Sequence, residues 1–212
     1  MELSDKDKCT LFSITRQAIY FVLCCTFMFG IIAATQHLGA EVFDENRLIE
    51  NLQLLLLLAS GLVFFTKACL CRRHSTVLAL CAALAMFGAC RECDNILDKL
   101  LPIISWRIGL LFMLAAIIYT IKNFKDFMPA LLVFANTPAF FLMCSAITIV
   151  GPIAQLVGHR PLLQAALPAH QDIGQIKELF EECVESAGYF ILFLASIETC
   201  ICLHKNERQS PP

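Results

Sequence analysis

Long apolar segments separated by short polar ones dominate the pattern of the chain. Each apolar segment is close to 20 residues long, which is the length an α-helix needs to cross about 30 Å of hydrocarbon. The pattern therefore predicts an all-α protein, a polytopic transmembrane helical bundle that forms one integral membrane domain over residues 1–212. The six predicted spans cover approximately residues 17–36, 52–71, 75–94, 101–121, 127–150 and 183–203.

The connections between most of these spans are short, which favours antiparallel packing of consecutive helices. The exception is the connection 151–177, which contains three prolines and is expected to form a surface loop or a short helix in the membrane interface. In the fifth span, Pro129 and Pro138 bracket the polar residue Asn136. Pro138 has no N–H to donate to the carbonyl of Phe134, so we expect a kink there.

Composition supports the membrane class. Hydrophobic residues make up 58% of the chain and charged residues 16%, whereas soluble domains carry about 25% charged residues. The mean hydropathy is +0.70. A formal net charge of −2 and a pI of about 6.2 exclude a nucleic-acid-binding protein. The expected partners are the lipid bilayer and, because six helices make a narrow bundle, a second copy of the chain.

The distribution of basic residues predicts the orientation in the membrane. With both termini on one side, that side holds ten of the Lys and Arg residues and the other side holds six. Basic residues are retained on the cytoplasmic side during insertion. Both termini are therefore predicted to be cytoplasmic.

Acidic residues concentrate on the predicted outer side, which holds twelve of the eighteen. Most lie in solvated loops, but three span ends carry carboxylates into the outer edge of the membrane. The third span has only sixteen apolar or small residues before Arg91, so Glu92 and Asp94 fall in its last turn. Carboxylates at this depth cost energy unless they face the bundle interior, a water-filled cavity or a partner.

The second and sixth spans begin with a similar arrangement. Glu50 and Gln53 are three residues apart and share one face of the second helix. Glu182 and Glu185 share a face of the sixth, and Tyr189 continues that face one turn deeper. With the arginine of the fourth span, the candidate residues for ligand binding or ion pairing are Glu50, Gln53, Glu92, Asp94, Arg107, Glu182, Glu185 and Tyr189.

Arg107 is expected to lie six residues inside the fourth span, about 9 Å from its outer end. A guanidinium at this depth keeps its proton and needs an acceptor. The sequence therefore predicts an ion pair between Arg107 and at least one of Glu50, Glu92, Asp94 and Glu185 on the inner wall of the bundle.

The histidines offer a weaker signal. His37, His159 and His170 fall on the predicted outer side, where they could form a zinc site together with the carboxylates, although the HExxH spacing of metalloproteases is absent. The sequence also lacks a Walker loop, GxGxxG and GxSxG, so nothing indicates nucleotide use or a serine hydrolase.

Most of the twelve cysteines lie within or beside apolar segments, where a thiol acts as a small hydrophobic side chain. Cys90, Cys93 and Cys183 lie near the outer ends of spans, and whether any of them forms a disulfide is left open by the sequence.

Three short stretches carry a resemblance. Residues 45–53 resemble an E-[DN]-G-L-I-E-W-L-Q motif, residues 91–94 an R-E-x-D motif and residues 181–185 an E-E-x-x-E motif. These motifs are found in small, uncharacterised bacterial multi-span inner-membrane proteins. The chain departs from them at Arg47, where glycine is usual, and at Asn51, where an aromatic residue is usual. The resemblance implies a bacterial inner-membrane location and no particular reaction, and its shared acidic set is Glu50, Glu92, Asp94, Glu182 and Glu185.

The sequence favours a membrane protein with an outward-facing acidic polar pocket that binds or transports a cation or a polar ligand. Oxygen ligands suit hard divalent cations such as calcium, magnesium or manganese, which are the candidate cofactors. One alternative is a membrane-embedded, metal-dependent hydrolase or transferase acting on lipid, with a carboxylate as general base. Another is a structural or assembly factor without a ligand. The sequence does not decide whether the protein is an enzyme, and the absence of the catalytic motifs named above favours a protein without enzyme activity.

The orientation can be tested with single cysteines at positions 166 and 209 in a cysteine-free background. We expect an impermeant maleimide to label position 166 in intact cells and position 209 only after permeabilisation. Labelling of position 209 in intact cells would contradict the predicted topology.

Overall fold

The computed structural model of the chain describes residues 4–39, 48–100, 105–166 and 173–209. These ranges are helical almost throughout and contain no strand, which confirms the all-α prediction. The helices in chain order are α1 (Asp5–Leu38), α2 (Leu48–Leu70), α3 (Ser75–Glu92), α4 (Asp94–Leu100), α5 (Ile108–Lys122), α6 (Phe124–Ala135), α7 (Pro138–Thr148), α8 (Ala154–Val157), α9 (Arg160–Ala166) and α10 (Ile173–Gln209).

Three tighter or wider helical turns connect these helices. The 3₁₀ turn Arg72–His74 precedes α3, and a second 3₁₀ turn, Ser105–Arg107, precedes α5. A π-helical turn, Ile149–Ile153, joins α7 to α8.

Within the described ranges, five helical stretches are long and apolar enough to cross a membrane. A sixth crossing is obtained if α5 and α6, which are bent by 105° relative to each other, count as one span. The five stretches are Thr10–Leu38, Leu48–Leu70, Arg72–Glu92, Pro138–Val157 and Ile173–Leu203.

The structure divides the fourth and fifth predicted spans differently from the sequence pattern. α5 begins at Ile108 rather than at residue 101, and the predicted span 127–150 is interrupted between α6 and α7. The interruption lies where the kink was predicted. Pro138 restricts the residue before it, and Thr137 accordingly has the extended conformation φ −104°, ψ 151°. The Thr137 hydroxyl donates to the carbonyl of Phe134 at 2.6 Å.

Packing of the helices follows a simple order. α2 packs against both α3 and α10, α3 packs against α5, and α10 packs against α7. The core contains Leu57 and Phe64 of α2, Leu78 of α3 and Ala195 of α10, none of them more than 1% exposed. Large apolar side chains cover much of the outer surface of the bundle, which suits contact with lipid.

Helix α5 runs antiparallel beside α3 over nearly the whole length of that helix. Gly109 at the start of α5 lies against Phe87 near the end of α3, and Tyr119 near its end places its hydroxyl 3.0 Å from that of Ser75. α5 therefore covers the same depth of the bundle as α3. We call the end where α2 begins and α3 ends the acidic end, and the opposite end the basic end.

The contact between α3 and α5 depends on the missing side chain of Gly109. A Cβ at this position would lie 2.9 Å from Phe87 Cδ2 and 3.0 Å from Phe87 Cα. The Gly109→Ala substitution should therefore destabilise the folded protein by about 1–3 kcal/mol, as overpacking does elsewhere. Gly30→Ala is the matched control, because a Cβ at Gly30 would meet nothing within 4 Å. Equal unfolding temperatures of the two variants in one detergent would contradict the predicted effect.

Candidate functional site

A polar cavity of about 430 Å³ lies at the acidic end of the bundle, and we call it the acidic pocket. Helices α2, α3, α4, α9 and α10 contribute its walls. Six carboxylates and three basic side chains line it, so the formal charge of the wall is negative. The lining residues are Glu50, Arg91, Glu92, Asp94, Arg160, Gly174, Lys177, Glu178, Glu181 and Glu182.

Gln53 joins α2 to α10 directly behind the acidic pocket. Its side chain is fully buried, and its Nε2 donates to Glu182 Oε2 at 2.7 Å and to Ser186 Oγ at 2.9 Å. Its Oε1 is buried and accepts no hydrogen bond from the described residues. A buried amide oxygen without a donor is costly, and it marks a place where a donor would be stabilised.

Arg91 and Tyr189 join α3 to α10. The Arg91 Nη2 forms an ion pair with Glu185, whose side chain is 1% exposed, and the Arg91 Nε lies 3.6 Å from Glu92 Oε1. The Tyr189 hydroxyl donates to Glu92 Oε1 at 2.6 Å. These contacts give both carboxylates a partner, as burial requires.

Most of the residues selected from the sequence come together in this region. Glu50, Glu92, Asp94 and Glu182 line the acidic pocket, while the remaining three lie behind it in the bundle. Those three are Gln53, Glu185 and Tyr189.

Arg107 differs from its expected position. Because α5 begins only at Ile108, Arg107 is the last residue of a 3₁₀ turn and its side chain is exposed, rather than six residues inside a span. It is not among the residues that line the acidic pocket. Arg91 is the arginine paired with Glu185, and the predicted pair between Arg107 and a carboxylate stays a prediction.

The predicted histidine ligands do not form a group in the described part of the chain. His37 and His159 are exposed, and His170 lies outside the described residues. Among the residues that the structure describes, no three His, Cys, Asp or Glu side chains are placed to hold a metal ion together.

The three cysteines near the acidic end are free thiols. Cys90, Cys93 and Cys183 are each partly buried and form no disulfide with another described residue. Burial raises the pKa of the Cys93 thiol above its usual value, so the thiol stays protonated at neutral pH.

A second buried charge, which the sequence reasoning missed, lies deeper in α10. Glu198 is fully buried and accepts a hydrogen bond from Arg16 Nη2 at 2.6 Å and another from the Tyr20 hydroxyl at 2.8 Å. The signal was present in the sequence, since Glu198 interrupts the apolar segment of the sixth predicted span. An ionisable residue inside such a segment needs a partner from another helix. Here the partners come from α1.

Sequence reasoning also missed the partners next to residues that it selected. Arg91 lies beside Glu92 in the R-E-x-D motif, and Ser186 lies beside Glu185. Both lie on faces that point to a neighbouring helix, which requires the helix arrangement to be known.

No protein-family model, curated protein or solved structure matches the chain. The resemblance of its three acidic motifs to bacterial inner-membrane proteins stays an expectation from the sequence. Function is therefore inferred from the geometry and charge of the acidic pocket.

The ion pair between Arg91 and Glu185 gives a direct test of the buried network. Arg91→Ala leaves the Glu185 carboxylate, whose side chain is 1% exposed, without its cation. Because the Arg91 side chain itself is 40% exposed, we expect a loss of about 1–3 kcal/mol, the cost of an unsatisfied buried group, rather than that of a fully buried pair. The combined change Arg91→Met and Glu185→Leu should recover part of this loss, because both charges disappear.

Lys177→Ala serves as the control, since its pair with Glu181 is an i, i+4 contact whose carboxylate side chain is 17% exposed, against 1% for Glu185. Such pairs contribute about 0.3–0.5 kcal/mol. Thermal unfolding in one detergent compares the variants. A loss for Arg91→Ala no greater than that for Lys177→Ala would contradict the role assigned to the buried pair.

Proposed function

We propose that this membrane protein binds, in its acidic pocket, a cation that carries its own hydrogen-bond donors, such as an ammonium or guanidinium group. The observation that carries the proposal is the lining of the pocket, where six carboxylates accompany three basic side chains. A wall of one predominant sign attracts ligands of the opposite charge and repels those of the same charge.

The basic residues of the wall cancel only part of this charge, because three bases face six carboxylates. Arg91 is paired with Glu185, and Lys177 is paired with Glu181. Each of these bases is thus already engaged by a carboxylate. The wall therefore keeps an excess of three formal negative charges, which attracts an incoming cation.

The location of the pocket strengthens the attraction. Glu92 and Glu182 belong to helical stretches that are apolar enough to cross a membrane, and Glu92 is only 9% exposed. Charges interact more strongly near a low-dielectric region than in water. Ionisable residues at the edge of a membrane bundle are also costly, and a binding role accounts for their presence there.

Size and hydrogen bonding favour an organic cation over a bare metal ion. A volume of about 430 Å³ falls within the range of about 300–1,000 Å³ typical of small-molecule sites. The six lining carboxylates are hydrogen-bond acceptors that an ammonium or guanidinium group complements.

The proposal can be tested by titrating the purified protein with 1,4-diaminobutane hydrochloride in a calorimeter at constant ionic strength. We expect saturable binding of this diamine, and no binding of butanedioate, which has a similar length and the opposite charge. Glu182→Gln should weaken diamine binding at least about tenfold, equivalent to about 1.4 kcal/mol, because it removes one charge from the wall.

Asp126→Asn is the matched control, since Asp126 is an exposed carboxylate in the first turn of α6 and does not line the pocket. It should leave the diamine affinity unchanged. Equal affinities for diamine and butanedioate, or equal losses for the two variants, would overturn the proposal. Binding of calcium chloride without any binding of diamine would overturn the choice of a donor-bearing cation.

A further inference from the structure

An apolar cavity of about 400 Å³ lies next to the acidic pocket, between α3, α10 and the segment from α7 to α8. We call it the apolar groove. Leu84 and Phe87 of α3, Val150 of the π-helical turn and Leu192 of α10 contribute to its walls. All four belong to stretches that are apolar and long enough to cross a membrane, so the groove lies at the depth of hydrocarbon.

The acidic pocket and the apolar groove adjoin each other. Arg91 lines both cavities. Gln155 of the groove donates to Glu181 of the pocket at 3.3 Å. A molecule with a polar group in the pocket is therefore within reach of the groove through its apolar part.

Local sequence keeps the groove open. Gly151 lies in the π-helical turn, and a Cβ at this position would meet nothing within 4 Å. Pro152 follows and has no N–H to donate, so the regular hydrogen-bond ladder is interrupted at the wall of the groove. On the opposite wall, Gly88 has no side chain, and a Cβ there would lie 3.0 Å from Leu57. π-helical turns occur frequently at functional sites.

We propose that the ligand is a single-chain amphiphile whose cationic head group binds in the acidic pocket and whose hydrocarbon chain lies in the apolar groove. This inference rests on the proposed function, because the head group is the cation assigned to the pocket. Charge complementarity selects the head group, and the position of the groove in hydrocarbon selects the chain. An alkylammonium compound has both parts, whereas the phosphate of an anionic lipid would be repelled by the six carboxylates of the pocket.

Trp106 provides an intrinsic probe, since it is the only tryptophan of the chain. Its ring packs edge-on against Phe87, with the ring centroids 6.4 Å apart, and Phe87 lines the groove. A bromine atom on a bound chain would quench its fluorescence at short range. The experiment titrates the protein, in discs of unbrominated phosphatidylcholine, with a bromododecylamine and with the corresponding bromododecanol.

We expect saturable quenching by the brominated amine, competition by unbrominated dodecylamine, and only weak, non-saturable quenching by the brominated alcohol. Glu182→Gln should weaken binding of the brominated amine at least about tenfold. Equal quenching by the amine and the alcohol would overturn the inference, because the chain would then reach Trp106 by partition into the bilayer alone. Saturable binding of an alkyl phosphate with the same chain would overturn the choice of a cationic head group.

Filling the groove separates this inference from the proposed function. Gly151→Leu adds a side chain at the wall of the groove, where a Cβ meets nothing within 4 Å. It should weaken binding of the brominated amine at least about tenfold and leave binding of 1,4-diaminobutane unchanged. Gly30→Leu is the matched control, because a Cβ at Gly30 also meets nothing within 4 Å and α1 does not line the groove. The smaller change Gly151→Val replaces Gly151→Leu if the latter no longer binds the diamine.

The outcomes distinguish the two proposals. Diamine binding that persists while Gly151→Leu or Gly151→Val binds the amphiphile as the parent protein does would overturn the groove inference alone. Failure of the parent protein to bind the diamine would overturn the proposed function, and with it the basis of the inference.

Discussion

Two buried carboxylates on α10 require charged partners from other helices, and this requirement determines where α3 and α1 pack against α10. Glu185 and Glu198 lie thirteen residues apart on this helix, a separation of about 20 Å, and neither side chain is more than 1% exposed. Each needs a cation or donor from another helix. Arg91 of α3 meets the first of these carboxylates, and Arg16 of α1 meets the second. The polar contacts of α10 thus fix which helix lies on each side of it.

Apolar contacts between the helices complete the bundle, but they determine less closely which helix faces meet. In a membrane, association of helices gains little from the hydrophobic effect, so close contact and polar pairing decide which faces meet. Gly109 lets α5 approach α3, and Gly188 lets α10 approach Val150. Both kinds of contact are needed for the acidic pocket, because its walls come from helices that are distant in the sequence.

The sequence revealed the helices and much of the acidic set because both depend on local spacing. Glu92 follows a short apolar segment, and Glu182 shares a helix face with Glu185, so their position at one end of the bundle could be predicted. The roles of Arg91 and Arg107 could not be predicted. The role of Arg91 depends on which face of α3 meets α10, and that of Arg107 depends on the residue at which α5 begins. These features arise from tertiary packing, which hydropathy does not encode.

Helix α1 is longer than the hydrocarbon core is thick, and little of its surface is buried in the bundle. Its apolar stretch Thr10–Leu38 has 29 residues, about 44 Å of helix, whereas the hydrocarbon core is about 30 Å thick. Only 11% of its most apolar part is buried in the bundle. Besides its contacts with Glu198, Phe27 stacks on Phe190 at 4.3 Å and Ile31 packs against Ile49. Such hydrophobic mismatch is relieved by tilting, so a change in bilayer thickness will alter the inclination of α1. None of the described residues of α1 lines the acidic pocket, but Ile31 of α1 is buried against Ile49, the neighbour of Glu50 in α2. A change in the inclination of α1 therefore acts on the helix turn that carries one carboxylate of the pocket.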